Sequence, residues 1–412
     1  MNAPSAERIL ERCEALARLS EQPDGLTRVF LSEQHRGANA LVSEWMREAG
    51  MAVRVDAIGN VCGRYEGERP GLPGLMLGSH LDTVRDAGKY DGMLGVVSAI
   101  ECVAALSVAK RRLPHAIEVV GFADEEGVRF GSTLLGSRAI AGTFDPAALE
   151  KSDASGTTMR EALKGFGLDP AVVGQAARRR EDVLAYAELH IEQGPVLEKE
   201  DLAVGVVTAI NGATRCSVEI KGVAGHAGTV PMSLRRDALA AASECMLAIE
   251  RICGSTPSLV GTVGRIEARP GATNVIPGHA RFTLDVRAPA DDMRFAAMAD
   301  IEAALKEICE RRGVSMEIAR THDSRTATCA PWLADQIGAA IAGEGLAVRR
   351  LPSGAGHDAM AMIDLTDVGM LFVRCERGVS HHPAEAVRGS DVATAARVFL
   401  RFIENFRARK ND

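Results

Sequence analysis

Three apolar runs between residues 75 and 126 each deliver polar residues at their ends, and this stretch limits the possible folds more than any other. Leu75, Met76 and Leu77 lead into Gly78-Ser79-His80-Leu81-Asp82. Tyr90-Asp91-Gly92 opens a helical pattern in which Leu94, Val97, Ile100, Ala104 and Leu106 recur at near-helical spacing. Ile117, Val119, Val120 and Phe122 form a second strand that ends at Asp124-Glu125-Glu126. Strand, helix, strand is the unit that builds a parallel sheet, because parallel neighbours need a long crossover. In such sheets, polar residues at the carboxyl ends of strands converge on one crevice. His80, Asp82, Asp91, Glu125 and Glu126 are therefore expected to meet. A histidine among so many carboxylates suggests a metal site.

The rest of the chain extends this reading. Helices are expected over 5–20, with Ile9, Leu10, Cys13, Leu16 and Ala17 on one face, and over 37–49, stopped by Gly50. Strands follow near 51–56 and 60–66, and a helix near 133–141 leads into a polar connection to about 182. A strand over 184–190 ends on His190. Then the pattern changes. Residues 213–328 read strand, helix, strand, strand, helix, strand (215–221, 233–253, 258–268, 280–287, 291–312, 314–320). That βαββαβ order gives helices on one face of an antiparallel sheet and leaves the other face open. After 329 the helix–strand alternation returns. The expected fold is an α/β domain formed by 1–212 and 329–412, interrupted by an α+β insert at 213–328.

Composition excludes several function classes. The net charge is −7, and no basic stripe suits nucleic acid. Nine scattered cysteines contain no C-x-x-C, which removes zinc-finger and thioredoxin readings and suggests reduced thiols in a cytosolic protein. The N-terminus has no apolar core of a secretory signal, and no apolar run reaches membrane-spanning length. A cytoplasmic protein without membrane or nucleic-acid partners is expected. There is no G-x-S-x-G, H-E-x-x-H or P-loop to propose another chemistry.

His80, Asp91, Glu126, His190 and His381 form the candidate ligand set. Three histidines and two carboxylates suit two ions sharing a carboxylate better than one ion. Any one of these residues alone reads as an ordinary polar strand end or, for Asp91, a helix cap. Five together make that bland reading a chain of coincidences. Asp82 points the same way as His80 on an extended chain and can orient a ligand or a base. Of Glu125 and Glu126, one can bind metal while its neighbour takes a proton from water and passes it to a leaving amine. In the insert, His226 lies between small residues in Gly225-His226-Ala227-Gly228, and Asn274 lies in a Gly-rich turn. These two could donate to the oxygen of a tetrahedral intermediate. Arg287 or Arg215 could hold a substrate carboxylate, although either alone reads as a solvated strand residue. The loop Ser353-Gly354-Ala355-Gly356 either lines the pocket or is a tight turn.

These segments resemble the hydantoinase/carbamoylase amidases, a branch of the co-catalytic metallopeptidase superfamily. The matching stretches are GSHLDTV (78–84), YDGMLGV (90–96), DEEGVRFGSTLLGSR (124–138), HIEQGPVLE (190–198), GHAGTVPMSLRRD (225–237), GATNVIPG (271–278), SGAGHDAMAM (353–362) and GVSHHPAE (378–385). The resemblance implies a dimetal hydrolase domain with an inserted lid and dimerisation domain. It implies two divalent ions, zinc or manganese, held by His80, Asp91, Glu126, His190 and His381, with Asp91 bridging. It also implies Glu125 as general base, with Asp82 and His226 in the catalytic set. Gln193, Arg215, His226, Asn274, Arg287 and the loop from Gly354 to Gly356 match substrate-contacting positions. The implied reaction is hydrolysis of a ureido group beside a carboxylate, releasing ammonia and carbon dioxide. The segments are most similar to enzymes acting on allantoate, then to those acting on N-carbamoyl-L-amino acids and β-ureidopropionate. A homodimer formed through the insert is implied, with His226 reaching the partner's site. A peptidase is the alternative that His190 argues against. A non-catalytic scaffold would be expected to have lost Glu125 or a ligand, and this sequence keeps them all.

Overall fold

The computed structural model describes residues 3–409, and they divide into two compact units. The first holds the described residues through Thr208, with Cys329–Leu351 and the chain from Ala355 onward; the second holds Ala209–Thr328 and Pro352–Gly354.

In the first unit, α1 (Ala6–Ala17) and α2 (Glu33–Glu48) start at Ser5 and Ser32, whose hydroxyls accept the amides of Arg8 and His35. That cap starts α2 earlier than the expected position 37. Strands β1 (Ala52–Val55) and β2 (Val61–Tyr65) precede β3 (Gly74–His80), α3 (Met93–Val108) and β4 (Ala116–Phe122). Strand β3 lies parallel to β4. Helix α3 is buried on nearly every side, as its apolar sequence demands. A methyl on Gly95 would fall 2.1 Å from the Leu189 carbonyl oxygen, so only glycine lets α3 approach the sheet this closely.

Beyond α4 (Leu135–Ala141), the expected polar connection is wrong. The segment carries α5 (Met159–Gly165), closed by a Thr158/Glu161 capping box, and builds a satellite core. Met159, Leu163, Phe166 and Val173 pack there with Phe30 and Phe130. These apolar residues are too widely spaced along irregular chain to show a period. Next come β5 (Val183–Ile191), α6 (Val196–Lys199) and β6 (Val204–Ile210). No strand was expected at β6, where a short apolar run reads equally as strand or buried helix.

The second unit contains β7 (Gly212–Lys221), β8 (Gly225–His226), α7 (Ala238–Gly254), β9 (Val260–Thr262), β10 (Ile266–Arg269), β11 (Val275–Ile276), β12 (His279–Ala288), α8 (Asp291–Arg312), β13 (Ser315–Ser324) and β14 (Ala327–Thr328). Its main sheet runs β10–β12–β7–β13, all antiparallel, with β9 also beside β12. One strand was expected over 258–268; the chain instead breaks into β9 and β10, both on β12. Alternation along β7 and β12 puts Val218, Ile220, Phe282 and Leu284 under α7 and α8. The same alternation puts Arg215, Asp285 and Arg287 on the opposite face.

The first unit resumes with α9 (Pro331–Gly343), β15 (Arg350–Ser353), α10 (Ala359–Met362), β16 (Val368–Val373) and α11 (Gly389–Asn405). Its sheet runs β1–β2–β4–β3–β5–β16–β6, with β15 beside β6. The central four, β4, β3, β5 and β16, are mutually parallel, so their carboxyl ends open on one edge.

Candidate metal centre

Three of these parallel strands and the turn before α3 deliver the site. Strand β3 ends on His80, β5 carries His190 one residue before its end, and β4 runs on into Asp124-Glu125-Glu126. Asp91 sits in the turn before α3, whose N-cap is Gly92 rather than Asp91. Gly92 has φ 71°, and a methyl there would fall 2.5 Å from the His80 ring. Glycine is thus required both by the backbone and by the histidine packed on it.

Asp91 is the centre of the arrangement. Its Oδ1 lies 3.1 Å from His190 Nε2 and 3.4 Å from His80 Nε2. Its Oδ2 lies 3.2 Å from His381 Nε2, which is 3.5 Å from Glu126 Oε1. Two groups therefore share one carboxylate: His80, Asp91 and His190 on one side, and Asp91, Glu126 and His381 on the other. The ring orientations are fixed from behind. His80 Nδ1 donates to the Asp82 carbonyl at 3.0 Å, and His190 Nδ1 donates to the Ile191 carbonyl at 2.9 Å. In the neutral tautomer those bonds leave each Nε2 lone pair aimed at a carboxylate oxygen, acceptor against acceptor. A cation between them resolves the conflict. Neighbouring ligands about 2.1 Å from a tetrahedral ion are about 3.4 Å apart, close to the separations here. The residues therefore fit a pair of divalent ions.

The charge balance supports that fit. Burial, reinforced by nearby carboxylates, pushes Glu126 up to about 10 and Glu125 up to about 7. Burial pushes the other way on His80, but hydrogen bonds to Asp82 and Asp91 hold its pKa well above the usual range. The metal-free site thus neutralises itself with protons that a divalent ion would displace. Glu188, His190 and His357 form a further close group, but both Glu188 oxygens are already used, by Ser79 Oγ and the Ala359 amide.

Glu125 faces this centre without belonging to the Asp91 contacts. Asp82 accepts the Glu125 amide on Oδ1 at 2.9 Å and the Glu126 amide on Oδ2 at 3.1 Å. A methyl on Gly356 would sit 3.3 Å from Glu125 Oε1, so the glycine loop borders the carboxylate. Gln193 donates to Asp91 Oδ2 at 2.9 Å.

The remaining expected site residues lie in the second unit. Arg215 Nε and Arg287 Nη2 both donate to Asp285 Oδ2 at 3.0 Å, and Arg287 Nη1 donates to the Gly354 carbonyl at 2.7 Å. They line a cleft of about 550 Å³ with Thr283 and Thr321. His226 and Asn274 are exposed neighbours across the small β8–β11 ribbon, joined by a bond from the Ala227 amide to the Asn274 carbonyl. Sequence reasoning missed Ser380 and Glu385, which complete the Asp91 surroundings, and Asp285. Glu385 closes the GVSHHPAE stretch, but nothing in its spacing distinguishes it from a surface carboxylate.

Fold and site together define a mixed α/β enzyme domain with a candidate metal centre in which two residue groups share Asp91. Residues 76–405 match the peptidase family M20/M25/M40, and the chain belongs to that family. It is 43% identical to an N-carbamoyl-L-amino-acid amidohydrolase of Pseudomonas sp. (strain NS671), covering 97% of this chain and 98% of that protein. It is 42% identical to the allantoate deiminase of Arabidopsis thaliana, covering 96% and 81%. The crystal structure of a hydantoinase/carbamoylase family amidase from Burkholderia multivorans superposes with a TM-score of 0.92 at 31% identity, covering 97% of each chain. The chain is an amidohydrolase acting on a non-peptide C–N bond, as the expected branch requires. No described helix is long and apolar enough to cross a membrane.

Proposed function

We propose that this protein hydrolyses the ureido group of a small carboxylate, with allantoate as the first candidate substrate and an N-carbamoyl-L-amino acid or β-ureidopropionate as the second. The observation that carries the reading is Asp91, whose two oxygens face separate histidine groups while Glu125 stands beside them. His80, Asp91, Glu126, His190 and His381 would hold two divalent ions, zinc or manganese. Bound there, the ions would supply Lewis acidity and would lower the pKa of the attacking water. Glu125 accepts the proton of that water and delivers it to the departing nitrogen. Asp82 fixes Glu125 through its backbone. Arg287, with Arg215 beside it, receives the substrate carboxylate, and Gln193 and the loop from Gly354 to Gly356 line the pocket. His226 and Asn274 donate to the developing oxyanion. The second unit acts as lid and as dimerisation domain, and the homodimer supplies His226 to the partner's site.

The test is ammonia release from the metal-loaded protein on allantoate, N-carbamoyl-L-methionine and N-carbamoyl-β-alanine, with a chelated control. Preference for allantoate places the protein in ureide nitrogen salvage. Preference for a carbamoyl compound changes the pocket assignment alone. Release that survives complete chelation, or no release from any of the three with metal bound, refutes the proposal.

A further inference from the structure

Glu385 is 4% exposed and lies four residues beyond His381. Its Oε1 accepts two consecutive amides, Tyr90 at 2.9 Å and Asp91 at 3.1 Å. Those are the amides of the turn that presents Asp91, and Gly92, the N-cap of α3, has no side-chain capping bond. The Glu385 carboxylate thus holds the turn ahead of that N-cap from a distant segment. Its Oε2 accepts Ser380 Oγ at 2.8 Å. Ser380 Oγ in turn accepts Gln193 Nε2 at 3.2 Å, and the same Nε2 donates to Asp91 Oδ2 at 2.9 Å. The circuit closes on one residue: Glu385 holds the Asp91 backbone, and Ser380 with Gln193 holds its side chain. No space is left for drift, since a methyl on Gly88 would fall 2.2 Å from the Glu385 carboxyl carbon.

A second observation concerns the same face of Asp91. Gln193 and His381 are both non-glycine residues with left-handed backbone, φ 56° and 55°. Such backbone is disfavoured for a residue with a Cβ and persists only where surrounding contacts hold it. His381 is half exposed, unlike the buried His80 and His190, which strand ends anchor. Its segment therefore depends on neighbours for its position, and Ser380 and Glu385 supply them.

From these contacts we infer that Glu385 is a positioning residue that locks the His381 segment to Asp91 and so sets the affinity of one ion selectively, the one shared by Asp91, Glu126 and His381. The inference rests on the two-ion reading above. His80 and His190 are held by β3 and β5 without a bond to Glu385, so Glu385 reaches their ion through Asp91 alone, whereas for the other ion it also holds the His381 segment through Ser380.

The test is calorimetric titration of metal-stripped protein with Co²⁺ for the wild type, Glu385→Ala, Glu385→Gln and Ser380→Ala, with thermal melts of the metal-free proteins as a folding control. Two equivalents are expected for the wild type. In Glu385→Ala one equivalent is expected to weaken roughly tenfold or more while the other stays within about threefold, in the range known for residues supporting ligands. Glu385→Gln keeps an oxygen for the two amides and is expected to recover most of the loss. Ser380→Ala, which leaves the buried carboxylate in place, is expected to weaken the same single equivalent. Equal weakening of both ions, or two unchanged ions in both Glu385→Ala and Ser380→Ala, overturns the assignment to Glu385 while leaving the two-ion reading intact. A wild type that binds fewer than two equivalents overturns the two-ion reading and this inference with it.

Discussion

Asp82 grips Glu125 from behind, with Oδ1 2.9 Å from the Glu125 amide and Oδ2 3.1 Å from the next amide, that of Glu126. One buried carboxylate thus sets the course of the chain through two adjacent glutamates that face the same centre. Replacing Asp82 with alanine leaves both amides without their acceptor and frees the turn. Turnover is expected to fall about tenfold to hundredfold, with a lower melting temperature from the two orphaned donors. Steady-state ammonia release and a thermal melt on the same preparation check both. Undiminished turnover in a folded Asp82→Ala protein would remove the positioning role.

Glu125→Gln preserves shape and removes the proton acceptor. Metal content by elemental analysis is expected to match the wild type, while turnover drops by roughly 10²–10⁴. Loss of metal in this variant would make Glu125 a ligand instead of a base.

Two guanidinium groups share Asp285, so the face bearing Arg215 and Arg287 keeps one positive charge uncompensated by that carboxylate. That remaining charge is what a substrate carboxylate can answer. Arg287→Ala is expected to raise KM about tenfold to hundredfold, matching the ~1.5–3 kcal/mol of a charged hydrogen bond. The loss should vanish on an analogue whose carboxylate is replaced by an amide. Equal loss on both compounds would contradict the assignment.

His35 is buried, its Nδ1 accepts the Leu31 amide at 3.0 Å, and its ring stacks on Phe166. Protonating Nδ1 would set a donor against that amide. Burial, helped by Arg28 and Arg36 and opposed by Asp82, lowers its pKa to about 4. The folded value lies below the unfolded value, so the neutral ring stabilises the fold above about pH 6.5. That contribution is lost as pH falls through about 4, and it is on the order of 3 kcal/mol. Melting temperatures of metal-free protein between pH 7 and 4.5 are expected to fall more steeply for the wild type than for His35→Phe. Parallel curves would exclude His35 as the cause.

Much of the site was legible because its residues sit where local patterns end. His80 follows an apolar run, Glu125 and Glu126 follow another, and His190 closes a third, so the expected strand ends and the observed β3, β4 and β5 coincide. Glu385 was illegible for the opposite reason. Its importance comes from two amides at Tyr90 and Asp91, in a distant stretch of chain that no local period links to it. The satellite core around Phe30 and Phe166 was missed likewise, because irregular chain buries apolar residues without a repeat.

The alternation of helix and strand, the change of pattern at the insert, and the kinds of side chain gathered near each strand end are legible in the order of residues alone. Those follow from periodicity and short-range backbone preference. Tertiary structure alone decided that Asp91 faces His190 with one oxygen and His381 with the other, and that Arg215 and Arg287 meet on Asp285. Such pairings depend on strand order, register and tight packing, which bring distant residues within a few ångströms and carry no signature along the chain.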